Sequence, residues 1–122
     1  MKKKILIIDD CLPILNSLRM ILEMHHYEVE IAQNGAYLLD NNNALPDILL
    51  VDYRISGVDG CSIITQLKNN ARFKHIPVIL MSGDIDIGRL SIRLGVNDFI
   101  AKPFNLDDLV KKIETCIAVP TE

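Results

Sequence analysis

A short apolar run that ends in a carboxylate constrains this chain more than any other stretch. Residues 48–51 contain no polar side chain, and Asp52 follows them directly. Such a run is typical of a strand that is covered on both faces, as in a parallel sheet. Open α/β folds place their ligand sites at the carboxyl ends of the strands. The run therefore predicts a buried central strand with Asp52 at its functional end.

Predicted strands and helices alternate five times along the chain. Further apolar segments predict strands over residues 2–8, 77–81 and 99–101, and the partly alternating residues 27–32 predict a strand near an edge of the sheet. Short loops between alternating elements imply right-handed βαβ crossovers and a parallel sheet with helices on both faces. The predicted fold class is therefore α/β, although pattern alone leaves the strand order open.

Turn and capping residues set the predicted helix boundaries. Pro13 fits the first turn of a helix that ends at His25-His26, and Gly95 fits the end of the fourth helix. A short second helix is predicted from Asn34-Gly35 through Leu39. The predicted amino-terminal caps of the third, fourth and fifth helices are Asp59, Asp84 or Asp86, and Asn105.

Four of the predicted strands end in polar residues that would meet at one edge of the sheet. Asp9, Asp10 and Asp52 supply hard oxygen ligands, which suit Mg²⁺ or Mn²⁺ and which repel one another when no cation joins them. Lys102 adds an ammonium and Ser82 adds a hydroxyl. A metal, an ammonium and a hydroxyl around one carboxylate describe a site for an incoming phosphoryl group, with Asp52 as the group that attacks or accepts.

Each of these residues has an ordinary explanation when it is taken alone. An Asp after a strand is usually a cap or a turn residue, and Ser82-Gly83 is typical of a turn. Only the joint occurrence at four strand ends favours a phosphoryl or metal site. Other phosphate chemistries lack their motifs, since the sequence contains neither GxxxxGK[ST] nor GxGxxG. Arg54 stands where a hydrolase with an aspartyl nucleophile would need its second acid.

Charge and hydropathy exclude several other classes of protein. The net charge is -3 and no extended basic block is present, which argues against direct binding of nucleic acid. The apolar run after Lys2-Lys3-Lys4 is too short for a signal peptide, and no stretch is long enough to cross a membrane. We therefore expect a cytoplasmic chain whose 122 residues form a single domain.

Over its whole length, the chain resembles the receiver domain of two-component response regulators. The resemblance implies a flavodoxin-like, doubly wound fold with a five-stranded parallel sheet in the order 2-1-3-4-5 and five helices. The stretches that carry it are Asp9-Asp10, Asp52, Gly57-Val58-Asp59-Gly60, Ile76-Pro77-Val78-Ile79-Leu80-Met81-Ser82-Gly83 and Gly95-Val96-Asn97-Asp98-Phe99-Ile100-Ala101-Lys102-Pro103-Phe104.

The same resemblance implies how the site works. Asp52 is expected to accept a phosphoryl group from a phosphohistidine on a sensor histidine kinase or a histidine phosphotransfer protein. Asp9, Asp10 and Asp52, with the backbone carbonyl of Arg54, are expected to hold Mg²⁺. Lys102 is expected to pair with the phosphoryl group, and the Lys102–Pro103 bond is expected to be cis.

The resemblance also implies a switch. Ser82 is expected to move and hydrogen-bond the phosphoryl group, while Phe99 swings inward. The change would reach the face formed by the fourth helix, the fifth strand and the fifth helix, where a downstream protein docks. Without the resemblance, Phe99 would be interpreted as an ordinary core aromatic residue.

Two other functions stay open, and so does the setting of the chain. A Mg²⁺-dependent phosphatase would turn over phosphate esters, whereas a receiver would react stoichiometrically with a small acyl phosphate. A phosphorylation-independent interaction domain would show no Mg²⁺ dependence.

The predicted elements begin at the first strand and end just after the last helix, so we expect no output domain. The chain would then be a stand-alone regulator or a relay intermediate. It could equally be a receiver from a longer protein. His26 stands where Gly is frequent in the family. Arg54 occupies a position that varies in the family, and we expect its side chain either to alter the lifetime of the phosphoryl group or to pair with it.

Overall fold

One parallel sheet organises the fold. The computed structural model describes residues 2–33, 45–55, 58–83 and 86–118. The sheet has five strands, which are β1 (Lys4–Ile8), β2 (Glu28–Ala32), β3 (Ile48–Asp52), β6 (Val78–Ser82) and β7 (Asp98–Ala101). Their order is β2-β1-β3-β6-β7, which is the predicted order 2-1-3-4-5 when the sheet strands are counted along the chain.

A small hairpin follows β3. Its strands β4 (Arg54–Ile55) and β5 (Val58–Asp59) pair antiparallel, so that Ile55 lies opposite Val58. The sequence predicts only a loop there, because turn residues dominate the stretch. The observed strands are each only two residues long. Runs this short carry no detectable period.

Four helices lie in the described part of the chain. They are α1 (Leu12–Met24), α2 (Gly60–Lys68), α3 (Ile87–Leu94) and α4 (Leu106–Ala118). The predicted short helix that starts at Asn34-Gly35 falls outside the described residues, as do the side chains of Asp59 and Asp84. Among the described residues, none of the helices has the length and apolar character needed to cross a membrane.

Side chains of the central strands alternate between two cores, one on each face of the sheet. Ile5 and Ile7 of β1 pack in the core that α1 and α4 cover, whereas Leu6 and Ile8 pack on the opposite face, beneath α2. Strand β3 is buried along its whole length. Full burial of one Val, Leu or Ile side chain stabilises a fold by about 1.5–3 kcal/mol. The buried faces therefore hold the ends of the strands in a fixed relation.

Helices α1 and α3 end in the same backbone motif. In α1, the Tyr27 N–H donates to the carbonyl of Leu22 (3.2 Å) and the His26 N–H donates to that of Glu23 (3.0 Å). His26 adopts the left-handed conformation, with φ 70°. The equivalent residue at the end of α3 is Gly95, which has nearly the same angle, φ 71°. The motif needs a left-handed residue at this position, and Gly adopts that conformation most easily. The structure thus gives a reason why Gly is frequent where this chain has His26.

The predicted amino-terminal caps differ in outcome. Asn105 caps α4, since its Oδ1 accepts the N–H of Asp107 at 2.7 Å. Asp86 precedes α3 but forms no capping hydrogen bond through its side chain. Its backbone has φ -95° and ψ 19°, whereas capping side chains usually extend from a β-region backbone.

Candidate functional site

The carboxyl ends of four adjacent strands place the predicted site residues at one edge of the sheet. Asp9 directly follows β1, Asp52 ends β3, Ser82 ends β6, and Lys102 directly follows β7. The register keeps these ends level, because Asp52 pairs with Met81 and Ser82 pairs with Ala101. The apolar strands therefore deliver four polar groups to one crevice.

Lys102 joins two of the carboxylates. Its Nζ lies 3.2 Å from Oδ2 of Asp9 and 3.2 Å from Oδ1 of Asp52. The second oxygen of Asp9, Oδ1, accepts the backbone N–H of Cys11 at 3.0 Å. Asp9 is 1% exposed and Asp52 is 7% exposed, so these interactions form largely out of contact with water. Burial weakens the screening of charge and strengthens the interactions between these groups.

Three carboxylates converge beside this lysine. Asp9, Asp10 and Asp52 each present an oxygen, and these oxygens lie within 4.8 Å of one another. Three carboxylates and one ammonium sum to a charge of -2 among these four groups. Asp10 is exposed, which leaves the cluster open to solvent on one side. An open group of oxygen ligands with excess negative charge fits a small divalent cation.

The cluster shifts the proton affinity of its own members. Burial and the charge of Asp9, with a smaller contribution from Asp10, raise the pKa of Asp52, although the charge and hydrogen bond of Lys102 oppose this. Burial alone would lower the pKa of Lys102, but the charges of Asp52 and Asp9 outweigh it and raise that pKa. Lys102 is consequently held as an ammonium, whereas ionised Asp52 is stabilised less than its 3.2 Å contact with a cation would suggest.

Ser82 lies beside Asp52 on the neighbouring strand. It is 2% exposed, and its carbonyl accepts the backbone N–H of Lys102 at 2.8 Å. The next bond, Lys102–Pro103, is cis, as expected from the resemblance. A Cβ placed on Gly83 would meet none of the described residues within 4 Å.

Phe99 lies on β7, on the side of the sheet that faces α3. Its ring is partly buried and packs in a cluster with Leu80, Ile87 and Leu90. Its Cζ would lie 3.8 Å from a Cβ placed on Gly88. Phe99 is thus a packed aromatic residue of β7, three positions before Lys102, which directly follows that strand. Strand β7 therefore links the site to α3.

Two contacts near the site could not be predicted from local sequence patterns. The N–H of Cys11 on Asp9 depends on the turn between β1 and α1, and no local pattern indicates it. Lys112 on α4 contacts Asp98 and lies over the ring of Phe99, with Nζ 5.5 Å from the ring centroid.

The backbone of Arg54 begins β4, whereas its side chain lies outside the described part of the chain. The expected influence of Arg54 on a phosphoryl group therefore stays a prediction.

Comparison with known proteins gives a consistent result. A family model described as the response regulator receiver domain matches residues 5–114. The phosphate regulon transcriptional regulatory protein PhoB of Pseudomonas aeruginosa is 31% identical over 121 residues, which cover 94% of this chain and 52% of that protein. The nisin biosynthesis regulatory protein NisR of Lactococcus lactis subsp. lactis is 35% identical over 115 residues, which cover 93% of this chain and 50% of that protein.

Solved structures share the whole fold. A putative response regulator from Chloroflexus aurantiacus J-10-fl superposes with a TM-score of 0.89 at 29% identity and covers 98% of this chain and 100% of its own. Another similar structure is a CheY-like receiver domain protein from Methanospirillum hungatei JF-1, with a TM-score of 0.84, 29% identity, and coverage of 96% of this chain and 94% of its own. The present chain spans about half the length of the two curated relatives above.

Proposed function

Since the chain belongs to the response regulator receiver domain family, we propose that it is a signalling module whose protein contacts change when Asp52 is phosphorylated. The observation that carries the proposal is the surroundings of Asp52. Its carboxylate lies 3.2 Å from an ammonium and within 4.8 Å of two further carboxylates at the open end of the sheet. A carboxylate in such a setting can accept a group rich in negative oxygens when cations offset the added charge.

The proposed step is transfer from a phosphohistidine on a sensor histidine kinase or a histidine phosphotransfer protein. An oxygen of ionised Asp52 attacks phosphorus, a new P–O bond forms, and the P–N bond to the imidazole breaks. The imidazole leaves with the electron pair of that bond and takes a proton from solvent. The ammonium of Lys102 already lies 3.2 Å from Asp52 and would stabilise charge on the phosphoryl oxygens during transfer.

The carboxylate cluster would hold the cation that this step needs. We assign Mg²⁺, or Mn²⁺, to Asp9, Asp10 and Asp52, with the backbone carbonyl of Arg54 as a further oxygen ligand. The charge of -2 among the three carboxylates and Lys102 supports a divalent ion. When bound, such an ion offsets negative charge on phosphoryl oxygens.

The response would travel along the strands that frame the site. Ser82 ends the strand next to Asp52, and Phe99 packs between β7 and α3. A phosphoryl group adds roughly 1.5 to 2 negative charges and three strong acceptor oxygens. We propose that Ser82 turns to donate to it and that Phe99 follows. The affected surface is formed by α3, β7 and α4 and would bind a downstream protein.

The setting of the module follows from the same proposal. We propose that its donors and targets are cytoplasmic proteins. The net charge of -3 argues against direct contact with nucleic acid. It takes up one phosphoryl group per molecule and promotes its own loading and release, so it is a phosphoacceptor and does not turn over a substrate. The relatives' regulatory roles are carried by proteins about twice this length, and the present residues would contribute the receiver function alone.

Intact-mass spectrometry after incubation with acetyl phosphate tests the acceptor. Wild-type protein should gain one phosphoryl adduct with Mg²⁺ and little without it, whereas Asp52→Asn should gain none. Asp107→Asn is the matched control, because it makes the same change at an exposed carboxylate in the first turn of α4 and should behave as wild type.

The two alternatives predict different results, one in a phosphate-release assay and the other in the mass assay. A Mg²⁺-dependent phosphatase would release phosphate catalytically from an ester such as p-nitrophenyl phosphate. A phosphorylation-independent interaction domain would show no adduct, or an adduct indifferent to both Mg²⁺ and Asp52. Either result would remove the proposed function.

A further inference from the structure

Lys112 contacts Asp98, which precedes Phe99 in the chain, and it also contacts the ring of Phe99. Its Nζ lies 3.1 Å from Oδ1 of Asp98, and the same oxygen accepts the backbone N–H of Phe99 at 2.8 Å. The same ammonium lies over the Phe99 ring, 5.5 Å from its centroid. One side chain of α4 is therefore joined to the residue on β7 that the proposed function assigns to the switch.

These contacts are partly shielded from water. The side chains of Lys112 and Asp98 are 32% and 30% exposed, so their interaction is screened less than that of a fully exposed pair. A cation over an aromatic face is attracted to the ring, and the attraction strengthens as water is excluded. The neighbouring Lys111 is exposed. Lys111 and Lys112 both line a groove of about 560 Å³ beside Phe99. The two lysines thus form a natural comparison.

We propose that Lys112 is a positioning residue that holds Phe99 in its present place and so opposes the change that follows phosphorylation. The proposal rests on the proposed function, because it assumes that Phe99 moves when Asp52 is loaded. The Cζ edge of the ring is packed toward Gly88, and the ring lies under the Lys112 ammonium. Displacement of the ring would break the contact with the ammonium.

Thermodynamic linkage gives the consequence. A contact that exists only in the unloaded conformation must be lost when a phosphoryl group or its analogue binds, and this loss weakens binding. Removal of the contact raises the fraction of molecules already able to bind tightly. Lys112→Met should therefore bind beryllofluoride, an analogue of the aspartyl phosphoryl group, about 3- to 10-fold more tightly than wild type.

Fluorine NMR on the full chain can follow both the ring and the affinity. The sequence contains three phenylalanines, so labelling with 4-fluorophenylalanine gives three resonances, of which Phe73 lies in a different core and serves as an internal reference. The Phe99 resonance is assigned from Phe99→Leu. Titration with beryllofluoride in the presence of Mg²⁺ then reports the dissociation constant and the movement of the ring.

We expect Lys112→Met to shift the unloaded Phe99 resonance toward the position that beryllofluoride produces in wild type. Lys111→Met should leave both the shift and the affinity unchanged, and Lys112→Arg should restore wild-type behaviour because it keeps a cation and a donor. Asp98→Asn, a second route to loss of the ion pair, should also tighten binding. In a Phe99→Leu background, with affinity followed by the shift of the Phe104 resonance, Lys112→Met should no longer tighten binding.

Two failures can be told apart. If wild type binds beryllofluoride and its Phe99 resonance moves, but Lys112→Met and Asp98→Asn match Lys111→Met, the positioning role is wrong and the proposed function stands. If wild type shows no binding and no movement, the proposed function fails and the role of Lys112 fails with it.

Discussion

The ammonium of Lys102 lies 3.2 Å from Oδ1 of Asp52, yet the pKa of Asp52 is raised. Burial and the neighbouring charge of Asp9 oppose ionisation of Asp52 more strongly than Lys102 favours it. One lysine therefore does not neutralise the cluster. The site is arranged to gain from a further cation, and a cation in the cluster would favour the ionised carboxylate that the proposed transfer requires.

Loss of the lysine should expose its contribution to stability. Lys102→Met should lower the free energy of unfolding at pH 7 by about 1–3 kcal/mol, because Asp9 and Asp52 are buried carboxylates that would lose their cation. The loss stays below that of a fully buried pair because the Lys102 side chain is 25% exposed. The loss should be smaller in an Asp52→Asn background, since one of the two ion pairs is then already absent. Urea denaturation of the four proteins measures the coupling, with Lys111→Met as a control for loss of an exposed lysine. Equal losses in both backgrounds would show that the 3.2 Å contact contributes nothing to stability.

Asp52→Asn should by itself stabilise the protein when no divalent cation is present. The ordinary pKa of Asp52 is 3.8, and burial and Asp9 raise the folded-state value. Between these two values the folded state binds more protons than the unfolded state, so wild-type stability falls as pH rises through that window. Above the window, ionised Asp52 carries a constant cost that asparagine lacks.

The expected gain at pH 7 lies within the span of about 0.5–3 kcal/mol that single substitutions show. It should shrink as pH falls through the window between the two pKa values and vanish below the ordinary pKa of 3.8. Denaturant unfolding as a function of pH measures it. Asp107→Asn should stay within about 0.5 kcal/mol of wild type, as an exposed substitution does. A gain that is independent of pH would mean that the effect does not come from ionisation of Asp52.

The strand ends could be predicted from the sequence because apolar runs and the polar residues that stop them are local signals. The run before Asp52 shows a buried strand, and the register then brings Asp52 level with the end of β6. The order of the strands is not local, and it came only from the resemblance. Pairings across elements are not local either: nothing in the spacing of Asp98 and Lys112 indicates that they meet over the ring of Phe99.

Magnesium should raise the thermal stability of wild type through its carboxylate cluster. A ligand that binds only the folded state at about ten times its dissociation constant adds about 1.4 kcal/mol. For a domain of this size, that gain corresponds to a rise of about 4–8 °C in the unfolding midpoint. Differential scanning calorimetry with MgCl₂, against NaCl at equal ionic strength, separates binding from screening of charge.

Asp10→Asn is the informative variant for that measurement. Asp10 is an exposed member of the cluster, so the variant should fold while it loses most of the magnesium-dependent rise. Asp107→Asn should keep the rise. An equal rise in all three proteins would place the bound magnesium somewhere other than Asp9, Asp10 and Asp52.

The left-handed residue at the end of α1 offers a test that is independent of the site. His26 adopts φ 70°, which costs a residue with a Cβ about 1–2 kcal/mol relative to a right-handed conformation. Glycine avoids that cost but loses about 0.5–1 kcal/mol more conformational entropy on folding. His26 is exposed, so its side chain contributes little packing. His26→Gly should therefore stabilise the protein by about 0.5–1 kcal/mol, measured by urea denaturation.

Two further variants separate backbone from side-chain effects. His26→Ala keeps a Cβ at the left-handed position and should leave stability nearly unchanged. Gly95→Ala makes the opposite change at the end of α3, where an added Cβ would meet nothing within 4 Å, so only the backbone conformation opposes it. It should destabilise the protein by about as much as His26→Gly stabilises it. If His26→Ala stabilised the protein as much as His26→Gly does, the gain would come from removal of the imidazole and not from relief of the left-handed backbone.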